Sequence, residues 1–356
     1  MLALLLALAL PAFAADSPRT NAAVAAVFEK IDALYKKQYD QDAGTITALD
    51  RQIESLAPAV TGFGWRAVSP LTPILQDRKR PLKIRLYALT FMGLTHDALA
   101  LAPLKLLLQD PLESPILRSA AAENLPLLGL SREALRRAFC PLISEPGVPA
   151  AVLTPALIQL SSLGCDDALA LERLLRGFGL RPRALDRDNA RRTIAALGRS
   201  RPLEGSRALL RLLDYYPRRS PEKQFVLEAL WKKRQDLLLF ADTASGRLLG
   251  QLQKESSAPA NALALMPLLS FLQDQKSVPL LLKLLDHPDP LMLAGAADTL
   301  ADLHAAEARA PLQRVIDSAH LDARMAPSKG APPPQALLER LSLALRRLPP
   351  IGRVGP

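Results

Sequence analysis

A pattern of small and apolar positions recurs along this chain with a period of about 35 residues, as in helical-repeat proteins. Each copy has a starting residue, a small or apolar residue at +3, apolar residues at +7 and +10, and often glycine at +11. The clearest copy consists of Arg118, Ala121, Leu125, Leu128 and Gly129. These offsets lie on one face of an α-helix, and glycine suits the left-handed residue that ends one. The eight copies start at Arg85, Arg118, Leu153, Arg187, Lys223, Ala262, Leu293 and Leu338.

A second apolar helix is predicted before most of these copies. Examples cover residues 99–108, 133–143, 169–175, 206–213, 278–285 and 308–316. Each unit is therefore predicted to be helix, turn, helix. Because neither helix can bury its apolar stripe alone, neighbouring hairpins must stack on one another. We predict an all-α protein, an α-solenoid (superhelix) of about eight helical hairpins.

The hairpins resemble HEAT repeats, in particular the short bacterial kind related to phycobilisome-lyase repeats. Residues 106–129 and 281–303 carry the resemblance best. That family places aspartate in the inter-helix turn and arginine near the start of the second helix, as Asp77 and Arg85 are placed here. Asp110 and Arg118 repeat the arrangement, whereas Leu153 offers no cation.

The resemblance covers roughly residues 69–350 and implies HEAT-like hairpins. It also implies that the Asp–Arg pairs form a structural ladder that stacks the hairpins and satisfies their turns. The resemblance implies little about activity, because the motif residues of the family are structural.

Both ends of the chain depart from the repeat. Residues 1–14 are predicted to be a signal peptide, residues 15–66 N-terminal capping helices, and residues 67–350 the HEAT-like repeat solenoid. Residues 325–334 are predicted to be a proline-rich loop within the last repeat, and residues 351–356 a disordered tail.

The signal-peptide prediction rests on an apolar run at 2–10 followed by Ala12, Phe13 and Ala14, a small-x-small cleavage signal. The run is shorter than the roughly 20 apolar residues that span a bilayer. We therefore expect a periplasmic or secreted protein with no transmembrane segment in the mature chain. No Lys or Arg precedes the run, which is unusual for a signal peptide, so a retained leader stays an alternative.

Composition agrees with a helical fold. Hydrophobic residues make up 49% of the chain and aromatic residues 4%, with Ala and Leu abundant and Val and Ile scarce. This balance favours helices over strands. The 31 prolines suit many short helices.

The chain has two cysteines, Cys140 and Cys165. The helix prediction places Cys140 within one helix and Cys165 just past the end of the next, antiparallel helix. At 1.5 Å per residue, their axial offset is about 10 Å. A disulfide needs Cα atoms within about 7 Å. We therefore expect two unpaired thiols, although an oxidising compartment would allow pairing.

The sequence shows no constellation typical of catalysis or of a metal site. None of the four histidines has a second histidine three or four residues away, and His96 and His304 fall at the +11 helix ends. One class of HEAT-repeat enzymes, the protein-lysine-derivative hydroxylases, holds two irons with paired His-Glu motifs, and no His-Glu dipeptide occurs here. There is also no nucleophile elbow and no phosphate loop. We expect a chain that is not an enzyme and has no cofactor.

Charge is the most informative functional feature. The net charge is +10, and residues 172–234 contain 17 Lys and Arg against 7 Asp and Glu, so the whole excess lies there. This segment would attract an anionic macromolecule, or it is a solvated face of an arginine-rich chain. The candidate binding residues are Arg183, Arg187, Arg191, Arg192, Arg207, Arg211, Arg218, Arg219, Lys232 and Lys233.

These observations favour a non-catalytic, protein-binding scaffold of the bacterial cell envelope. Its acidic macromolecular partner would dock on the solenoid groove or on the basic central repeats. One alternative is a lyase or hydrolase that uses the groove. Another is a nucleic-acid-binding solenoid, if the leader is not a signal peptide. The sequence leaves the partner and the oligomeric state open.

Overall fold

The computed structural model describes residues 18–38, 43–180, 183–255, 259–319 and 334–350. These ranges consist of α-helices joined by turns and short 3₁₀ segments, and contain no β-strand. The prediction of an all-α solenoid is therefore confirmed. The predicted signal peptide, the proline-rich loop before Pro334 and the predicted tail lie outside the described residues.

The first of two compact units spans Met1–Leu163. Three N-terminal helices precede three hairpins, and the second helices of successive hairpins pack against one another. The helices of this unit are α1 (Pro18–Lys37), α2 (Ala43–Glu54), α3 (Ala57–Thr61), α4 (Val68–Gln76), α5 (Leu82–Gly93), α6 (Leu101–Gln109), α7 (Pro115–Asn124), α8 (Arg132–Ser144) and α9 (Ala150–Leu163). The hairpins are α4–α5, α6–α7 and α8–α9.

The second unit spans Gly164–Pro356 and contains five hairpins in its described part. These are α10–α11, α12–α13, α15–α16, α17–α18 and α19–α20, and the second helices again pack in order. The helices are α10 (Ala168–Gly177), α11 (Ala184–Leu197), α12 (Pro202–Tyr215), α13 (Pro221–Lys232), α14 (Arg234–Leu237), α15 (Ala241–Glu255), α16 (Pro259–Phe271), α17 (Val278–Leu284), α18 (Pro290–Asp302), α19 (Arg309–Ala319) and α20 (Pro334–Arg347).

The sequence repeat coincides with the second helices. Each of its eight starting residues is the third to fifth residue of α5, α7, α9, α11, α13, α16, α18 or α20. Several of these helices open on proline, which needs no N–H partner in the first turn. Three of these helices, α7, α13 and α18, have polar N-cap residues. Their side-chain oxygens accept a backbone N–H of the first turn at 2.8–3.3 Å, and the residues are Ser114, Ser220 and Asp289.

In five of the second helices, the residue at +11 has a left-handed backbone conformation and follows the end of the helix. Gly129 and Gly164 have φ of 62° and 79°, as expected for glycine there. His96 and His304 adopt φ of 53° and 54° and so perform the same turn without glycine. Gly198 differs, because its φ of −60° keeps it in the right-handed region, where its N–H still bonds to the carbonyl of Ile194. The prediction of a left-handed glycine at this end is wrong for α11.

Arg85 and Arg118 form a ladder between hairpins, but their acidic partners are not the predicted aspartates. Arg118 donates from Nε to the Leu108 carbonyl at 2.9 Å, and its two Nη atoms bind both oxygens of Glu145 at 2.9 and 2.6 Å. Arg85 repeats the arrangement with Glu113, in the turn of the following hairpin. We call these two pairs the Arg–Glu ladder.

The aspartates satisfy the turns instead. Asp77 accepts the backbone N–H of Lys79, and Asp110 accepts that of Leu112, both at 3.0 Å. The family pattern therefore predicted the turn role correctly and placed the wrong carboxylate beside the arginine. The reason is stacking: the arginine points toward the turn of the next hairpin, not its own.

Cys140 and Cys165 are both disulfide-bonded, which corrects the expectation of two unpaired thiols. The offset used for that expectation assumed the helical rise throughout. Cys165 lies just past the end of α9, as predicted, in the non-helical segment directly after the left-handed Gly164. A residue outside a helix is not held to the helical rise, so the sequence did not constrain the distance.

Candidate binding surface

The predicted basic residues lie in two layers of the second unit. Arg187, Arg191 and Arg192 are on α11, and Lys232 is on α13, both of which are second helices. The first helix α12 carries a further two, Arg207 and Arg211. Arg183 precedes α11, Arg218 and Arg219 occupy the exposed turn between α12 and α13, and Lys233 follows α13. The structure therefore does not gather all ten into one patch.

Three members of the set, Arg187, Arg211 and Lys233, form ion pairs within the fold. Arg211 pairs with Glu172, with Nε 3.0 Å and Nη2 2.5 Å from Oε2. Arg176 binds the other oxygen of Glu172 at 2.9 Å. Burial alone would raise the pKa of Glu172, but the hydrogen bonds and charges of the two arginines hold it below its usual range. Arg211 therefore stabilises the packing of α12 on α10.

Lys233 must be removed from the predicted set. Its side chain is buried, and Nζ lies 3.0 Å from the carbonyl oxygen of Ser200 and 2.6 Å from Oδ2 of Asp236. A buried ammonium with these partners cannot meet a ligand. Arg187 stays exposed, with Nε 3.5 Å from Oε1 of Glu222.

Arginines of this unit stack on aromatic rings about one repeat away in sequence. The guanidinium of Arg191 lies 5.2 Å from the ring centre of Phe225, and that of Arg207 5.5 Å from Phe240. Arg234 lies 5.6 Å from the ring centre of Phe271, and it also lies 4.5 Å from that of Trp231, three residues before it. Such stacking holds a guanidinium in place without neutralising its charge. Sequence reasoning missed it, although the Arg–aromatic spacing near one repeat period was a usable signal.

A cationic groove lies between α11 and α13. It has a volume of about 380 Å³, and its polar walls include Arg191, Arg199, Lys232 and Glu228. Phe225 lines the same groove, beneath the guanidinium of Arg191. In the described part of the chain, no carboxylate pairs with Arg191 or Lys232. The cationic groove therefore combines fixed positive charge with an apolar floor.

An apolar groove lies on the other side of α13, between α13 and α16. It has a volume of about 370 Å³ and is lined by Leu227, Trp231, Ala264 and Pro267, among others. Trp231 is 42% exposed, which is unusual for so large an apolar side chain. Glu228 lines both grooves, so it stands on the ridge between them.

A third groove, among α16, α18 and α20, is balanced in charge. Arg340 lies 2.6 Å from Asp298, and Arg347 pairs with Asp302. This groove of about 500 Å³ therefore offers no net attraction to an anion. Of the three grooves described, it is the one between α11 and α13 that is lined by exposed cations without a carboxylate partner.

Lys223, the first residue of one copy of the repeat, is a buried cation in the second unit. Its Nζ lies 2.6 Å from Oε1 of Glu255 and 2.8 Å from Oε1 of Gln251. Tyr216 is buried nearby in sequence; burial first, and then the charge of Glu222, raise the pKa of its hydroxyl far above the usual value. These contacts are internal, and they leave the basic surface unaffected.

No group of three or more His, Cys, Asp or Glu among the described residues is placed to hold a metal ion. Across the same ranges, no helix combines the length and the apolar character that a membrane crossing needs.

Comparison with known proteins gives little beyond the fold. No family model matches the chain, and no curated protein matches it. Among solved structures, it is similar to human deoxyhypusine hydroxylase in complex with glycerol, at 18% identity over 91% of this chain and 97% of that chain, with a TM-score of 0.27. The all-helical repeat fold rests on the helices themselves, and the comparisons show no narrower family.

The expectation that the chain is not an enzyme is contradicted by this comparison, because the similar structure is that of an enzyme. The non-enzyme assignment is accordingly withdrawn. At this identity and TM-score, the likeness assigns no reaction to the chain either.

Proposed function

We propose that the chain is a protein-binding scaffold of the bacterial cell envelope, which docks an acidic partner on the second-helix layer of its second unit. The observation that carries the proposal is the cationic groove, where Arg191 and Lys232 keep their charge exposed. Arg191 is held over Phe225 rather than beside a carboxylate. A fixed and unneutralised guanidinium is well suited to binding a carboxylate.

The proposed location in the cell envelope requires that the protein be exported from the cytoplasm. The apolar run and the Ala12, Phe13, Ala14 cleavage signal support it. The disulfide of Cys140 and Cys165 supports it independently, because disulfides persist in oxidising compartments. Nucleic acid is disfavoured as the partner of an exported protein. We also assign the hairpins to the short bacterial HEAT kind, on the strength of the repeat period and of Arg85 and Arg118.

The test is capture from envelope extract on the immobilised mature chain. One variant carries Arg191→Glu and Lys232→Glu. A matched control carries Lys254→Glu and Lys283→Glu, exposed positions on the first helices α15 and α17 with the same change in net charge. We expect an acidic protein retained by the wild type and the control, and retained at least about tenfold less by the groove variant.

Two results would contradict the proposal. Equal retention by all three proteins would mean that the cationic groove is a solvated face. Equal loss from both variants would mean that net charge, not this surface, governs retention. Raising the salt concentration should weaken genuine retention, because exposed charges are screened.

A further inference from the structure

The two grooves that flank α13 differ in chemistry and share one wall. The cationic groove presents Arg191 and Lys232, whereas the apolar groove presents Leu227 and Trp231. Adjacent packed helices lie about 8–10 Å apart, so the two grooves are separated by about one helix diameter. A ligand that crosses α13 would meet positive charge first and an apolar recess next.

The apolar groove is suited to one or two side chains. Its volume of about 370 Å³ is at the small end for a ligand site. Trp231 is 42% exposed at its edge, and Arg234 stacks on the ring at 4.5 Å. A partly exposed tryptophan held by such a contact is the kind of residue on which an apolar anchor packs.

Glu228 on the ridge discriminates between anionic ligands. It is exposed and lines both grooves, so a ligand in them must pass close to its carboxylate. A peptide backbone brings N–H groups, which can donate to that carboxylate as charge-assisted hydrogen bonds. The phosphodiester and acyl chains of an anionic lipid bring no such donors, so their negative charge would be repelled there.

From this arrangement we infer that the site binds an extended peptide segment in which acidic residues precede a leucine or an aromatic residue. The acidic side chains lie in the cationic groove against Arg191 and Lys232, and the apolar side chain lies in the apolar groove against Trp231. A chain in the polyproline II conformation advances about 3.1 Å per residue and returns its side chains to the same face every three residues, so the two kinds of residue are three positions apart. This inference rests on the proposed function and specifies the partner segment.

The test uses three labelled synthetic peptides and the full mature chain. The first peptide has glutamates followed by a leucine three positions on, the second has serine in place of the leucine, and the third has glutamines in place of the glutamates. Fluorescence anisotropy reports each dissociation constant. We expect the first peptide to bind at least about tenfold more tightly than either of the others.

Variants locate the two halves of the site. Lys232→Glu should weaken the first peptide about tenfold or more, and Trp231→Ala should remove most of the advantage of leucine over serine. The matched controls are Lys283→Glu on the first helix α17 and Leu239→Ala in the short 3₁₀ segment before α15. Both positions are exposed, and both changes should leave binding unchanged. Circular dichroism of every variant checks that the helices remain folded.

The outcomes separate this inference from the proposed function. If the glutamate–serine peptide binds as tightly as the glutamate–leucine peptide, the two-groove inference is overturned and the acidic docking site stands. If no peptide binds while vesicles of anionic phospholipid do, and Lys232→Glu abolishes that binding, the ligand is a lipid and the inference is again overturned. If neither binds, the inference is overturned, and the capture experiment with the groove variant decides the proposed function separately.

Discussion

At the scale of single residues, buried arginines decide how hairpins are joined. Arg118 is 2% exposed, yet each of its donor nitrogens has a partner, in the Leu108 carbonyl or the Glu145 carboxylate. A buried charge is tolerated when it is paired and fully hydrogen-bonded in this way. Removing one partner leaves the others buried without compensation.

Arg118→Met should therefore lower the free energy of unfolding by about 2–3 kcal/mol, because Glu145 and the Leu108 carbonyl lose their donor. Glu145 is partly exposed, which keeps the loss below that of a fully buried pair. Urea unfolding followed by circular dichroism gives the value. The control is Arg137→Met, whose ion pair with Glu133 lies within one helix and is exposed, so its loss should matter little. Equal losses in the two variants would contradict the structural role of the ladder.

Gly164 offers a second test at this scale. Its φ is 79°, and a Cβ there would lie 2.5 Å from the backbone carbonyl oxygen of Arg199. Gly164→Ala should destabilise the protein by more than about 2 kcal/mol, because both the backbone strain and the clash must be relieved. Gly129→Ala has comparable φ but open space, and should cost only about 1 kcal/mol. Thermal unfolding compares the two, and a larger loss at Gly129 would rule out the close approach.

At the scale of elements, carboxylates join neighbouring helices and give the fold a pH dependence. Burial alone would raise the pKa of Glu113, but hydrogen bonds from Arg85 and from the Ser114 N–H outweigh it and lower the pKa. The pKa of Glu172 is lowered in the same way by Arg211 and Arg176. A depressed folded-state pKa means stabilisation that is complete above the unfolded value and lost as the pH falls.

The free energy of unfolding should therefore be steady near neutral pH and decline as the pH falls from about 4.5 through the folded pKa values of these groups. Urea unfolding at a series of pH values measures it. In a protein carrying Glu113→Gln and Glu172→Gln, the decline should be smaller, with lower stability at neutral pH. An identical decline in both proteins would assign the acid sensitivity to other groups.

The helices could be predicted from the sequence because the spacing of apolar residues is a local pattern. The side-chain contacts between neighbouring hairpins could not be predicted in this way. The repeat starts fall near the beginning of the second helices, and His96 and His304 end helices as their +11 position indicated. The choice of Glu113 over Asp77 for Arg85 depends on how one hairpin stacks on the next, which periodicity does not encode. The same applies to the burial of Lys233, since its neighbour Lys232 in the same basic run stays exposed.

At the scale of the whole molecule, charge is unevenly placed and partly internal. The segment 172–234 holds the whole net excess, as counted from the sequence. Composition therefore identifies the segment that carries the net positive charge. It did not distinguish Arg211, which binds Glu172, from Arg191, which stays available. That distinction requires the positions of the helices.

The disulfide gives a test of where the chain folds. Protein recovered from the periplasm should show no free thiol after denaturation, and a chain made without residues 1–14 and kept in the reducing cytoplasm should show two. Reduction should lower the free energy of unfolding by about 3 kcal/mol, because Cys140 and Cys165 close a loop of moderate length. Thiol titration and unfolding with and without reductant measure these effects. Free thiols in the periplasmic protein would contradict the pairing, and failure to recover the protein from the periplasm would contradict the export proposal.

The Arg–Glu ladder also restricts how the array can grow by duplication. The hairpin α6–α7 contains one carboxylate that accepts from the hairpin before it, Glu113, and one cation that donates to the hairpin after it, Arg118. An extra tandem copy of this hairpin would add one arginine and one glutamate, so every member of the Arg–Glu ladder would still have a partner. The hairpin α8–α9 contains Glu145 but has Leu153 at the position of the cation. A tandem copy of it would leave a half-buried glutamate without an arginine donor, so lengthening of the first unit is favoured at one hairpin and opposed at its neighbour.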